Sequence, residues 1–214
     1  MLERITVYYD YTCPYSDRAR RWLANVAQAG RELTVIWRTF PLKEVNRRPG
    51  EASFLSGTPG DSVSILALEL AKAAQAAGSD LFGAYHDAVF DAMHGENQKK
   101  LTSEDLLALA RAAGLDTVRF GSERGQATWL EAVAGDYREA VARWGVFGTP
   151  TLIFQDELAA YLKFAAVPPT PREAAEVFDA LLCLARLHSE LVEIKFQPAS
   201  GIAHRSPGLP SQLV

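Results

Sequence analysis

Two cysteines occur in the 214 residues, and one of them stands where a sulfur becomes a nucleophile. Cys13 opens the run Cys13-Pro14-Tyr15-Ser16, directly after the apolar stretch Ile5 to Tyr9 and the turn residues Asp10-Tyr11-Thr12. Pro14 suits the first position of a helix, where its missing N–H has no partner to lose and its φ is already helical. Cys13 is therefore placed at a helix N-terminus, beside unpaired N–H groups and the positive end of the macrodipole. Both favour thiolate over thiol, and the thiolate is the reactive form. Three residues on, where a second cysteine would complete Cys-x-x-Cys, stands Ser16. A hydroxyl cannot attack a disulfide, since exchange requires a thiolate. It can donate a hydrogen bond to the Cys13 sulfur and favour its charged form. The expected chemistry is that of one nucleophilic sulfur with no resolving sulfur in its own motif. Cys183 lies in Ala180-Leu181-Leu182-Cys183-Leu184-Ala185 on a helical pattern and is expected in the core, where free cysteine is commonly found.

The elements that position Cys13 can be read on either side of it. Ile5 to Tyr9 reads as a strand and Pro14 to Gln28 as a helix stopped by Gly30. Leu33 to Phe40, rich in β-branched and aromatic residues, reads as a second strand, giving a right-handed βαβ unit. Pro41 ends that strand, and residues 46–60 read as a loop. From residue 62 to 144 nothing alternates like a strand. Helical spacing appears over 63–77, 81–93, from the Thr102-Ser103-Glu104-Asp105 cap to Gly114, over 118–124 and over 126–144. Gly145 to Phe154 returns to β character, with Tyr161 to Phe164 as a hairpin partner, and Arg172 to His188 reads as a long helix.

Composition narrows the class. A net charge of −4 gives no basic field for nucleic acid, and no apolar stretch is long enough to span a bilayer. Met1 to Ile5 enters a β-like run without the regions of a signal peptide, so a cytoplasmic protein is expected, in which Cys13 and Cys183 are not bonded. His86, His94, His188 and His204 show no ligand spacing near a cysteine, and no metal site is expected. His86 and His94 read as surface or satisfied core residues, and Tyr8, Tyr9 and Tyr11 as strand packing, with Tyr11 or Tyr15 the alternative wall of a substrate groove. Arg18, Arg20 and Arg21 read as a solvated helix face, the alternative being that Arg18 and Arg21, on one face, favour the thiolate or an anionic thiol ligand.

The order strand–helix–strand, helical block, strand–strand–helix is the thioredoxin order with an insert between its halves. Asp10 to Ser16 resembles the active-site turn of thioredoxin-fold proteins, and Gly148-Thr149-Pro150-Thr151 resembles their cis-proline loop. Trp37-Arg38-Thr39-Phe40-Pro41-Leu42 and the helical block resemble the DsbA-like family, including its cytoplasmic FrnE-type members. Kappa-class glutathione transferases and 2-hydroxychromene-2-carboxylate isomerases share this architecture. The resemblance implies an α/β thioredoxin fold in one domain over 1–198. Residues 1–61 and 145–198 form its core, 62–144 the insertion, and 199–214 a mobile tail.

The resemblance also assigns roles. Cys13 matches the nucleophile, Pro14 and Tyr15 the dipeptide that tunes it, and Thr149-Pro150 the loop whose backbone pairs with substrate. The activity implied is thiol–disulfide exchange through a mixed disulfide at Cys13, with Ser16 as the departure from the family's dithiol. No tightly bound cofactor is expected; glutathione or another small thiol would serve as co-substrate. The partners would be a small thiol or a disulfide-containing protein, with no nucleic acid or membrane, and a homodimer is left open. Two further readings stand beside this one: a glutathione-dependent transferase or isomerase of the kappa-like type, and a non-catalytic binding module. In the transferase pattern the motif's first position is serine, whereas here it is Cys13.

Overall fold

The computed structural model describes residues 2–57, 60–155 and 158–187. The expected 199–214 tail, the end of the core domain from 188 onward, His188 and His204 lie outside the described residues.

The sheet has the order β2-β1-β3-β4. Its central strand β1 (Glu3–Tyr9) pairs in parallel with β2 (Leu33–Thr39) and antiparallel with β3 (Thr151–Phe154), so Val7 sits between Trp37 and Leu152. β1 is buried along nearly its whole length. That explains its continuous apolar reading in place of clean alternation. Helix α1 (Pro14–Gln28) joins β1 to β2, and the short α2 (Leu42–Val45) follows β2.

β4 is Leu158–Tyr161, earlier than the 161–164 expected from sequence. The cause is the tight return after β3, where Gln155 adopts a left-handed φ of 53° and Tyr161 already pairs with Thr151. Lys163 and Phe164 are thereby left beyond the ladder.

Between the halves stand α3 (Val63–Ala77), α4 (Ser79–His94), α5 (Ser103–Ala112), α6 (Thr117–Gly125) and α7 (Thr128–Trp144). The cap read at Thr102 forms as a reciprocal box with Asp105. This block has its own core, in which Leu66, Leu70, Tyr85, Phe90 and Phe120 pack, and Tyr9 and Tyr11 from the β1 end belong to the same cluster. On the other side, α8 (Pro171–Leu187) and α1 cover the sheet through Ile5, Val7, Trp22, Leu23, Leu152 and Phe178. The fully buried Trp22 donates its indole N–H to the Ala174 carbonyl at 3.0 Å, locking α1 to α8.

Cys183 corrects the sequence reading: it is exposed on α8 and not in the core. The buried stripe of α8 runs through Ala174, Ala175, Phe178 and Leu182. A residue one step beyond Leu182 is rotated about 100° off that stripe.

Candidate active site

The turn that carries Cys13 is held from within. The buried Asp10 carboxylate accepts from the Thr12 amide and hydroxyl, both at 2.7 Å, through Oδ1, and from the Leu42 amide at 2.8 Å through Oδ2. Burial pushes the Asp10 carboxyl up, opposed by these donors and by His94. The Asp10 carbonyl accepts from the Cys13 amide at 3.1 Å. Cys13 is the N-cap of α1, extended at φ −88°, ψ 114°, with Pro14 next, and its carbonyl takes the Ser16 amide at 3.0 Å. The strand-to-helix junction read from sequence is therefore a hydrogen-bonded turn that aims the cysteine side chain out of the helix.

That side chain meets the second motif. Cys13 is 5 % exposed and its Sγ donates to the Thr149 carbonyl at 3.3 Å. The Thr149–Pro150 peptide bond is cis. The Thr149 Oγ1 is buried without a hydrogen-bond partner among the described residues. The structure so brings together Cys13 and Thr149 from opposite halves of the chain.

Ser16 is fully buried beneath the first turn, and its Oγ has no hydrogen-bond partner among the described residues. The hydrogen bond expected from Ser16 to the Cys13 sulfur is not formed. The extended cap conformation of Cys13 directs the sulfur across to the Thr149 carbonyl instead.

Around this pair lies a small rim. Tyr15 is half-buried, with the Arg18 guanidinium carbon and the Lys163 Nζ each 5.2 Å from its ring centre. Phe147, 67 % exposed, stacks on Tyr161 at 4.8 Å. Gly148 lies where these meet, and a Cβ there would come within 3.1 Å of the Tyr161 ring, which would have to give by a few tenths of an ångström. Phe147, Tyr161 and Lys163 escape the sequence reading as site residues. They come from loop and edge-strand positions whose approach to Cys13 depends on the fold and leaves no local pattern.

Arg20 departs from a solvated face, Arg18 is half-buried, and Arg21 stays exposed as expected. The Arg20 side chain is 14 % exposed and reaches Asp17, Asp87 and Asp91 at 2.9, 2.6 and 2.6 Å. Arg21 also takes Asp17, while Arg18 donates to the Phe164 carbonyl at 2.8 Å. The reason is α4, which lies along α1 and presents Asp87 and Asp91 one turn apart. His86 is satisfied core on one nitrogen: its Nδ1 lies 3.1 Å from the Tyr11 hydroxyl, inside a ring of Tyr9, Tyr11, Trp37, Phe82 and Phe90. Burial, with Arg20 adding to it, holds His86 well below the usual histidine range. His94 Nε2 lies 2.7 Å from the Tyr11 carbonyl. Among the described residues no group of three His, Cys, Asp or Glu side chains is placed to hold a metal ion, and no helix is long and apolar enough to cross a membrane.

Comparison with known proteins adds the family. Residues 4–171 match the family described as the DSBA-like thioredoxin domain. No curated protein matches the chain in sequence. A probable DsbA oxidoreductase from Streptomyces coelicolor superposes with a TM-score of 0.61 at 20 % identity, covering 92 % of this chain and 94 % of its own. A thioredoxin-like oxidoreductase from Silicibacter pomeroyi gives 0.56 at 22 % identity, covering 84 % of each chain. The thiol-disulfide exchange protein α-DsbA2 from Wolbachia pipientis gives 0.54 at 19 %, covering 84 % of this chain and 81 % of its own. At such identities these likenesses establish a common fold.

Proposed function

We propose a single-thiol chemistry for this chain, which belongs to the DsbA-like thioredoxin-domain family of oxidoreductases. The Cys13 thiolate attacks a disulfide, one sulfur of which bonds to Sγ while the other leaves as a thiolate with the electron pair of the broken bond. An external thiolate then attacks the held sulfur, forms a new disulfide with it, and Cys13 departs as a thiolate. The substrate is a small disulfide or a disulfide-containing protein, and glutathione is the first co-substrate to try.

The observation that carries this reading is Ser16. It occupies the position from which a family dithiol would resolve the intermediate, and its buried hydroxyl is engaged with no described residue. Cys183 is exposed on α8 and forms no disulfide. The Thr149 carbonyl supports the same reading, because deprotonation of Cys13 to the attacking thiolate removes the S–H donor and leaves the carbonyl able to accept from a substrate backbone N–H.

The test is intact-protein mass spectrometry after incubation with glutathione disulfide, in a Cys183→Ala background. One adduct is expected, absent in Cys13→Ala/Cys183→Ala and removed by added glutathione. No adduct on the folded chain, with ready reaction of the same chain in denaturant, would overturn the proposal.

A further inference from the structure

Two cations stand at the mouth of the site, and among the described residues neither takes part in an ion pair. Arg18 and Lys163 flank the Tyr15 ring at 5.2 Å on the two contacts, and Lys163 also lies 5.1 Å from the Tyr161 ring. Arg18 uses one N–H on the Phe164 carbonyl, and Lys163 is an exposed residue beyond β4. Lys163 stays charged: burial works against the ammonium, but Tyr161, Tyr15 and the Cys13 sulfur outweigh it and raise its pKa. The acids nearest the turn in sequence do not cancel this field. Asp17 is bound by Arg20 and Arg21, and Asp10 is buried under its own three donors. Beside the cations, the Phe147–Tyr161 stack offers an apolar surface.

We propose that the thiol resolving the Cys13 mixed disulfide carries a carboxylate, which the rim of Lys163 and Arg18 binds beside Tyr15. The proposal rests on the single-thiol reading above and adds the charge class of its co-substrate. Every attacking thiolate is negative at sulfur, so the rim selects by what the rest of the molecule carries. A carboxylate is drawn to the rim and an ammonium is repelled. Resolution itself transfers the held sulfur to the incoming one and returns the Cys13 thiolate.

The experiment uses the full chain with Cys183→Ala, loaded at Cys13 by bis(2-hydroxyethyl) disulfide, whose held half is uncharged. Rate constants for release by 3-mercaptopropionate and by cysteamine are compared as a ratio, which cancels the intrinsic reactivity of each thiol between variants. For a charge about 6 Å away in water, Lys163→Gln should slow the anionic thiol and speed the cationic one by roughly threefold each. Lys163→Glu should move the ratio further. Raising the salt should bring the parent ratio towards those of the variants, because exposed charges are screened. Circular dichroism confirms that each variant is folded, and Lys163→Gln alone suffices if the charge reversal is not. An unchanged ratio in the variants, with release still proceeding, overturns the carboxylate rim and leaves the single-thiol chemistry standing. Failure to load Cys13 at all overturns both.

Discussion

Ser16→Cys is the substitution that most directly tests what the missing sulfur means. In the helix, positions three apart bring their Cβ atoms to about 5–6 Å, and a disulfide needs a somewhat closer approach. Cys13 is an extended N-cap, so its Cβ is not held to that helical spacing, and its Sγ can turn from the Thr149 carbonyl towards position 16. The stability of the reduced variant should change little. Ser16 Oγ is fully buried without a described partner, so its removal sacrifices no hydrogen bond and relieves about 1 kcal/mol of unpaired polar burial. The larger sulfur costs about the same in packing. The kinetic effect is large. An intramolecular thiol acts at an effective concentration of mM or more, so with external thiol held at about 10 μM the mixed disulfide should disappear roughly 100-fold faster. Acid-quenched mass spectrometry on Cys183→Ala chains loaded with glutathione follows this. At that thiol concentration the chain that keeps Ser16 should lose its adduct slowly and end as the free thiol, whereas the Ser16→Cys variant should lose it about 100-fold faster and end two hydrogens lighter than its reduced form. An adduct that persists equally in both would refute the argument that position 16 is the resolving position.

Two further outcomes test the frame around the site. The Asp136 carboxylate is buried on α7 and accepts from the Thr39 amide and hydroxyl at 2.9 Å each, from Arg38 at 3.0 Å and from Lys72 at 2.9 Å. Asp136→Ala strands the Lys72 charge and the buried Thr39 amide, and should lower unfolding free energy in urea by about 4 kcal/mol; a loss under about 1 kcal/mol would contradict this. His86 is kept neutral by burial, whereas the unfolded chain binds a proton there below about pH 6.5. Stability is thus fully present above that pH and falls as pH drops, by up to about 1.4 kcal/mol per unit from this residue. His86→Phe should flatten the fall between about pH 7 and pH 5 in urea titrations, and an identical slope in both proteins would remove His86 as its source.

The parts of the site that lie within a few residues of each other are legible in the sequence, and the parts that meet only through folding are not. Cys13-Pro14 after an apolar run declares a strand-to-helix junction, because proline and a helix start are linked by local geometry. Gly148-Thr149-Pro150 is found only by resemblance, since no spacing tells that residue 149 lies against residue 13. Arg20 reads wrongly as solvated because its fate depends on Asp87 and Asp91, more than sixty positions away. The periodicity of the α8 segment, rich in Leu and Ala on several sides, does not separate Leu182 from Cys183 by burial. Asp10 looks like a turn residue and is one, but its acceptance of the Leu42 amide, which ties the Cys13 turn to the start of α2, has no signature in sequence.

These long-range contacts decide what the helical insertion is to the site. A lid is drawn from weakly held structure, with few buried apolar contacts and exposed hydrogen bonds. α4 is the opposite. Phe90 and His86 pack against Tyr9 and Tyr11, residues of the strand and turn that lead to Cys13. His94 meets the Tyr11 carbonyl, and Asp87 and Asp91 clasp Arg20 of α1. Lifting α4 would expose that aromatic cluster and strand a half-buried arginine, so α4 is packed as a wall behind the nucleophile. The other flank is different in kind. Phe147, 67 % exposed, stacks on Tyr161, and the exposed Lys163 lies over the rings of Tyr161 and Tyr15. The hydrogen bonds that Asp10 accepts from Thr12 and Leu42, which hold the Cys13 turn, involve none of these side chains, so the flank formed by the Pro150 loop and β4 can change without unsettling that turn.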